Sequence, residues 1–222
     1  ISSPVTLGLA MIVRDEQETL RRCLASVLPV VDEMVVVDTG SRDGTVAVAR
    51  EMGARVVTHP WQGDFALARN VSLAHLNTDW VLVLDADEQL VESSHAVIRR
   101  AVRNPLVDGF LVDILNFTGD VAVSGAAAHA NVRLFRRLPG VGFRGAVHEQ
   151  IASSLVEVGG CIRPLPGALI LHYGYLEAAV NGYDKKERNF AILRRQVEED
   201  PRNGFAHFNL GVEYIRQGER RR

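Results

Sequence analysis

The sequence predicts an α/β fold built on a parallel sheet covered by helices on both faces. Apolar, β-rich runs alternate with amphipathic runs through the first hundred residues, the pattern of repeated strand–helix units. The strand runs, such as Met34–Val37 and Trp80–Leu84, are apolar almost throughout, as strands buried on both faces must be. Turn and cap residues fall between the runs.

Thr6–Val13 is the first predicted strand, followed by a helix over 16–28 in which Leu20, Cys23, Leu24 and Val27 follow the spacing of a buried helical face. Met34–Val37 is the second strand. The helix over 44–52 has Ser41 or Asp43 to cap its start and Gly53 to end it. Arg55–Thr58 then leads to a helix over 64–76, and Trp80–Leu84 to one over 92–103. From Asp108 to about Tyr173 the runs shorten and glycines multiply, as in Gly109–Leu115, Val132–Phe135 and Ala168–His172; this half reads as a mixed-sheet extension. Beyond Tyr173 the chain is helical, with a charged stretch from Asn181 to Glu199.

Composition narrows the classes. With 222 residues, 47% hydrophobic and 23% charged, the chain suits one large globular domain plus a small appendage. A formal charge of −2, with no Lys/Arg block before Arg220–Arg222, argues against a nucleic-acid partner. The cysteines number two and lie far apart, so neither a disulfide framework nor a C-x-x-C metal site is present. No apolar run approaches the roughly 20 residues that span a bilayer. The expected location is cytoplasmic or peripheral to the membrane. A start at Ile1 and an end inside a helical pattern suggest a fragment.

In an open α/β sheet, ligands bind beyond the carboxyl ends of the strands. At that edge Val35–Asp38 and Leu82–Asp85 both end in aspartate. Asp38 leads into T-G-S-R-D-G-T, a tight turn able to present backbone N–H groups. Asp85 and Asp87, two apart, would point to one side if strand geometry persists, and can hold a hard divalent cation, Mg²⁺ or Mn²⁺, whose open positions suit phosphate oxygens. The competing reading makes Asp85 a turn cap and Asp87 and Glu88 solvated charges.

These motifs together resemble the family 2 glycosyltransferases of GT-A fold, in the branch with C-terminal tetratricopeptide repeats. The resemblance rests on A-M-I-V-R-D-E (10–16), V-V-V-D-T-G-S-R-D-G-T (35–45), W-Q-G-D-F-A-L-A-R-N (61–70), D-W-V-L-V-L-D-A-D-E (79–88), Arg133–Phe135, Val147–Glu149 and His172–Tyr175. It implies a Rossmann-like, mixed α/β sheet flanked by helices, with a helical extension at the C-terminus. The implied domains are 1–175 for the transferase, split near 103 into nucleotide and acceptor halves, and 176–222 for the helical region. It also implies transfer of a sugar from a nucleotide donor, most often a UDP-sugar, with inversion, to an acceptor glycan, peptide or protein.

Carried onto this sequence, the resemblance assigns Asp38 to the base or ribose, Asp85 to the ribose side and Asp87 to a Mn²⁺ or Mg²⁺ ion. His172 is a candidate further metal ligand, or a histidine satisfied by backbone. Arg69 would approach the nucleotide, and Arg133 the phosphates. Val13 and Asp15 line the first turn, where Asp15 replaces the family's usual asparagine. Trp61 and Phe65 are expected to pack rather than stack on a base. Glu149 is the candidate general base; a salt bridge to Arg144 or Arg133 is its plainer use. Leu210-Gly211-x-x-Tyr214 after Asp200-Pro201 matches the first helix of a tetratricopeptide repeat, which would offer a protein partner a surface; a helix packed on the main domain explains it equally. Two other functions fit the same acids: a nucleotidyltransferase of similar fold, and an inactive scaffold. The first lacks its Gly-rich basic loop here, and the acids themselves argue against the second.

Overall fold

The computed structural model describes residues 4–117 and 126–216, so the basic terminus Arg220–Arg222 lies outside it. In chain order the elements are β1 (Leu7–Val13), α1 (Gln17–Val27), β2 (Glu33–Asp38), α2 (Thr45–Glu51), β3 (Arg55–Thr58), α3 (Phe65–His75), β4 (Trp80–Val83), β5 (Glu88–Leu90), α4 (Ser94–Ala101), β6 (Gly109–Phe117), β7 (Ala126–Arg136), α5 (Ala152–Glu157), β8 (Ile162–His172), α6 (Gly174–Glu199) and α7 (Gly204–Arg216). Each predicted strand and helix is present with ends shifted by a few residues; β5 and α5 have no sequence counterpart.

The eight strands form one sheet in the order β3-β2-β1-β4-β7-β6-β8-β5. Strands β3, β2, β1 and β4 are mutually parallel, β7 enters antiparallel to β4, and the remaining strands are mixed. Side chains alternate between two cores. Leu7, Leu9, Met11 and Val13 of β1 join Trp80 and Leu82 of β4 beneath α1 and α4. Ala10, Val35, Val37, Val81 and Val83 face the other way, toward α3 and Phe135. With both faces covered, the uninterrupted apolar runs of the parallel half follow directly.

Only residues 84–87 separate β4 from β5, which occupy positions four steps apart in the sheet order. Laid flat, those steps would span roughly 19 Å. The linking residues are not extended but turned, with the Glu88 N–H donating to the Asp85 carbonyl at 3.0 Å. The sheet must therefore curl, and the turn that carries both aspartates lies across the mouth of the curl.

Helices α6 and α7 pack on the ligand edge. Ile192 and Leu193 bury against Ala146 and Val147, with Trp61, Phe65 and Leu210 beside them. Trp61 and Phe65 meet edge-on at 4.6 Å, the packing role expected of them. Phe190 of α6 and Tyr214 of α7 join the two helices through a perpendicular ring pair.

Gly8 of β1 lies hard against the turn that follows α3. A Cβ there would sit 2.5 Å from Leu76 Cδ2 and 2.6 Å from Thr78 Oγ1, both on buried residues with little room to yield. Gly8→Ala should therefore cost about 1–3 kcal/mol by overpacking. Urea unfolding would register this as a lower midpoint, and an unchanged midpoint would contradict the packing.

Candidate active site

The tips of β1 and β2 build a single platform. Val13 pairs with Asp38 in register, which brings the two following loops together. Asp38 is buried, and its carboxylate accepts from the N–H groups of Gly40 and Ser41, each at 3.2 Å. That turn is available because Gly40 takes a φ of +112°. Asp15, itself at a φ of +54°, accepts from the Arg42 N–H at 2.6 Å, while its own N–H donates to Ser41 Oγ. Neither Ser41 nor Asp43 is the N-cap of α2, which is Gly44; Asp43 stands just before it and accepts from the Thr45 N–H at 2.9 Å. Asp15 and Asp38 thus first organise the loops that a ligand would meet.

Strand pairing of β4 stops at Val83, so the alternation that would place Asp85 and Asp87 on one side does not apply. Each carboxylate finds different partners. Asp85 Oδ1 accepts from Arg69 Nη2 at 2.6 Å, and Asp85 Oδ2 from Arg133 Nη2 at 3.4 Å. Arg69 continues the chain by donating through Nε to Glu149 Oε1. Arg133 donates through the same Nη2 to Glu88 Oε1 at 2.6 Å. The result is an ionic ladder, Glu88–Arg133–Asp85–Arg69–Glu149. Glu88 is not a solvated charge: its side chain is 1% exposed, and Oε2 accepts from the Asp85 N–H, closing the turn.

Two opposing effects set the charges. Burial raises the pKa of Asp85, but the guanidinium groups of Arg69 and Arg133 outweigh it and hold the carboxyl well below the usual range. Glu88 is dominated by burial, opposed by Arg133 and reinforced by Asp85, and is pushed up to about 7. Beneath the turn, the fully buried Cys23 thiol donates to the Asp85 carbonyl at 3.2 Å; burial and the nearby acids push that thiol up. Cys23 is the core thiol its helical spacing indicates.

The sheet register brings Asp87 and His172 together. Glu88 of β5 pairs with His172 of β8, which is also in register with Asn116 of β6. His172 Nε2 lies 3.3 Å from Asp87 Oδ2, and Nδ1 lies 2.6 Å from Asn116 Oδ1. Burial disfavours the imidazolium, but the hydrogen bond and charge of Asp87, with Glu88 and Asp85 behind, raise the His172 pKa overall. A divalent cation fits this pair. Adjacent ligands of an octahedral ion with bonds of about 2.1 Å are separated by about 3 Å, close to the gap present. Asn116 fixes the ring through its other nitrogen, as outer partners of metal-bound histidines do. No third His, Cys, Asp or Glu joins them among the described residues.

Glu149 comes from a tight loop. Arg144 and Gln150 exchange backbone hydrogen bonds at 3.0 and 2.9 Å, and His148 between them has a φ of +57°. Asn70 of α3 anchors the stretch leading into this loop, donating to the Phe143 carbonyl at 2.9 Å and accepting from the Phe143 N–H at 2.7 Å. Glu149, Asp85, Arg69, Arg133, Asn131, His148 and Gln150 are among the residues that line one cavity of about 190 Å³. The ion-pair partner of Glu149 is Arg69, whereas Arg144 pairs with Glu157 and Arg133 with Glu88. Arg69 is accordingly no surface residue of a helix; it is 8% exposed.

Arg69, Asp85, Arg133 and Glu149 are brought into direct contact, and Asp87 and His172 into a neighbouring pair. Val13, Asp15 and Asp38 form the separate platform at the β1 and β2 tips. Sequence reasoning overlooked Glu88, Asn70 and Asn116 as organisers. Glu88, as the last residue of D-A-D-E, and Asn70, as the last of W-Q-G-D-F-A-L-A-R-N, carried a signal in the chain itself.

Residues 9–151 match the sequence profile of Glycosyl transferase family 2. The chain belongs to that family. All of the candidate residues except His172 lie within the matched segment. The chain is 36% identical over 219 residues to a TPR repeat-containing protein of Synechococcus elongatus, an alignment covering 96% of this chain and 53% of that one. It spans about half the length of the curated relatives matched along its whole length. Among solved structures, it resembles glucosyl-3-phosphoglycerate synthase from Mycobacterium tuberculosis in complex with Mn²⁺, UDP and glucosyl-3-phosphoglycerate. There the TM-score is 0.54 at 20% identity, over 85% of this chain and 78% of the other. It also resembles a mannosyltransferase from Pyrobaculum calidifontis in complex with GDP-Man and Mn²⁺, with a TM-score of 0.58 at 16% identity over 86% and 64% of the two chains. At such identities these likenesses establish the fold, which is GT-A. No helix among the described residues is long and apolar enough to cross a membrane.

Proposed function

We propose that this family 2 chain transfers a sugar, with inversion, from a nucleoside-diphosphate donor, UDP in the first instance, to an acceptor glycan, peptide or protein. The observation that carries the proposal is the cavity that Asp85 and Glu149 share, joined by Arg69 and adjacent to the Asp87–His172 pair. The solved neighbours described with Mn²⁺ and with UDP or GDP-Man support the choice of donor class and cation.

In this reading Val13, Asp15 and Asp38 form the floor for base and ribose, with lone pairs of Asp38 beyond those bound to its own turn facing the nucleotide. Asp85, 36% exposed at its side chain, reaches the ribose side while its charge is held by two arginines. Asp87 and His172 would hold Mn²⁺ or Mg²⁺, which when bound offsets the charge growing on the departing diphosphate. Glu149 takes the proton of the acceptor as it attacks, and Arg69 keeps that carboxylate aimed into the cavity. Arg133 lines the same cavity and, with its charge shared by Glu88 and Asp85, would offer its remaining N–H groups to phosphate oxygens.

The transferase unit is taken as residues 1–175, with the nucleotide half ending near 103. The second unit is taken as residues 176–222, described as far as Arg216, in which α7 is the first helix of a tetratricopeptide repeat, a reading supported by the name of the Synechococcus relative. Further repeats would give a protein partner its surface, and the location is cytoplasmic or peripheral to a membrane.

A thermal-shift panel of nucleotides and nucleotide-sugars with and without Mn²⁺ tests the proposal. A true donor at a hundred times its Kd should stabilise the fold by about 2.7 kcal/mol, and only with the metal. If no nucleotide moves the melting point, the proposal fails. Release of pyrophosphate rather than UDP would turn it toward a nucleotidyltransferase.

A further inference from the structure

Behind the wall of the cavity at Asp85 and Glu149 lie two donors that the protein leaves unmet. Arg69 Nη1 and Arg133 Nε are buried and have no hydrogen-bond partner. A buried donor left empty costs about 1–3 kcal/mol, so any shift of these side chains that brings the N–H groups to the cavity favours acceptor oxygens there.

The charges, by contrast, leave no excess cation: three carboxylates, Glu88, Asp85 and Glu149, stand against two guanidiniums. Arg69 is shared between Asp85 and Glu149, and Arg133 between Glu88 and Asp85. No cation is left over for another anion, and a further carboxylate would meet Asp85 and Glu149 on the cavity wall. Burying an unmatched charge costs far more than burying a hydrogen-bonded hydroxyl. A hydroxyl both accepts and donates, so it can take an arginine N–H and return a proton to a carboxylate oxygen or to the amides of Asn131 and Gln150. The volume sets the size. At about 190 Å³ the cavity is smaller than the roughly 300–1,000 Å³ that enclose drug-sized molecules. It has room for a single sugar ring.

We infer that this cavity receives the transferred sugar and selects an uncharged monosaccharide over the corresponding uronic acid. The inference rests on the donor reading given above and adds a substrate class to it.

Calorimetric titration of the full chain with Mn²⁺ tests it, using UDP itself and then matched donors that differ only at C6: UDP-glucose against UDP-glucuronate, and UDP-galactose against UDP-galacturonate. The neutral member of the tighter pair should bind at least about tenfold more strongly, equivalent to 1.4 kcal/mol. Gln150→Arg adds a cation at the cavity wall and should narrow that gap several-fold. A uronate binding as tightly as its neutral partner overturns the inference even though UDP binds, and a gap unmoved by Gln150→Arg overturns its electrostatic basis. Failure of UDP to bind at all overturns the donor reading itself, and the inference with it.

Discussion

Glu149→Gln should slow transfer by about 10²–10⁴-fold, the usual contribution of a general base, while nucleotide affinity stays close to that of the unsubstituted protein. The amide keeps the shape of the carboxylate and can still accept from Arg69 Nε, so Arg69 retains partners at both ends and the loop closed by Arg144 and Gln150 has no reason to move. What disappears is the ability to take a proton. Turnover and donor binding measured on the same preparation separate these effects. If turnover persists, another group is the base; if binding collapses as well, Glu149 is a structural pillar of the ladder. Glu149→Ala would be a poorer choice, because it strips a buried guanidinium of one of its two carboxylates.

Asp87→Ala should abolish the Mn²⁺-dependent part of nucleotide stabilisation and lower activity by more than the about 10–100-fold that follows loss of an outer-shell partner. His172 would keep its contact with Asn116 but lose the carboxylate opposite, leaving a single nitrogen to bind the ion. The substituted side chain is partly exposed and touches the rim rather than the core, so the metal-free melting point should change little. The measurement is a thermal shift with UDP at a series of Mn²⁺ concentrations. A variant that still responds to the metal as before would remove Asp87 from the coordination sphere.

Much of the parallel half was legible because each of its signals is local. Cys23 lies where helical spacing puts it, and Asp38 and Asp85 end buried strands at the edge where the topology gathers ligands. The rest depends on pairings between distant residues. β5 contains three residues, too few to show a period, and exists because β8 comes alongside it. Glu88 looks like a loop charge until Arg133, forty-five positions away, is seen to pair with it in the interior. The partner of Glu149 was not foreseeable between Arg133 and Arg144, since Arg69 reaches it only after α3 and the 143–150 stretch are docked through Asn70. Asn116 carries no mark in the chain at all; its role follows from standing beside His172 in the sheet.

Residues 84–87 tie β4 directly to β5. A covalent strap of fixed length, rather than soft packing, sets how widely the two ends of the curled sheet can gape. Insertions elsewhere on the rim can be absorbed by bulging outward, but one here would alter the spacing of the carboxylates before it loosened anything else. Engineering that aims to admit bulkier donors should therefore leave residues 84–87 at their present length and work on the opposite wall.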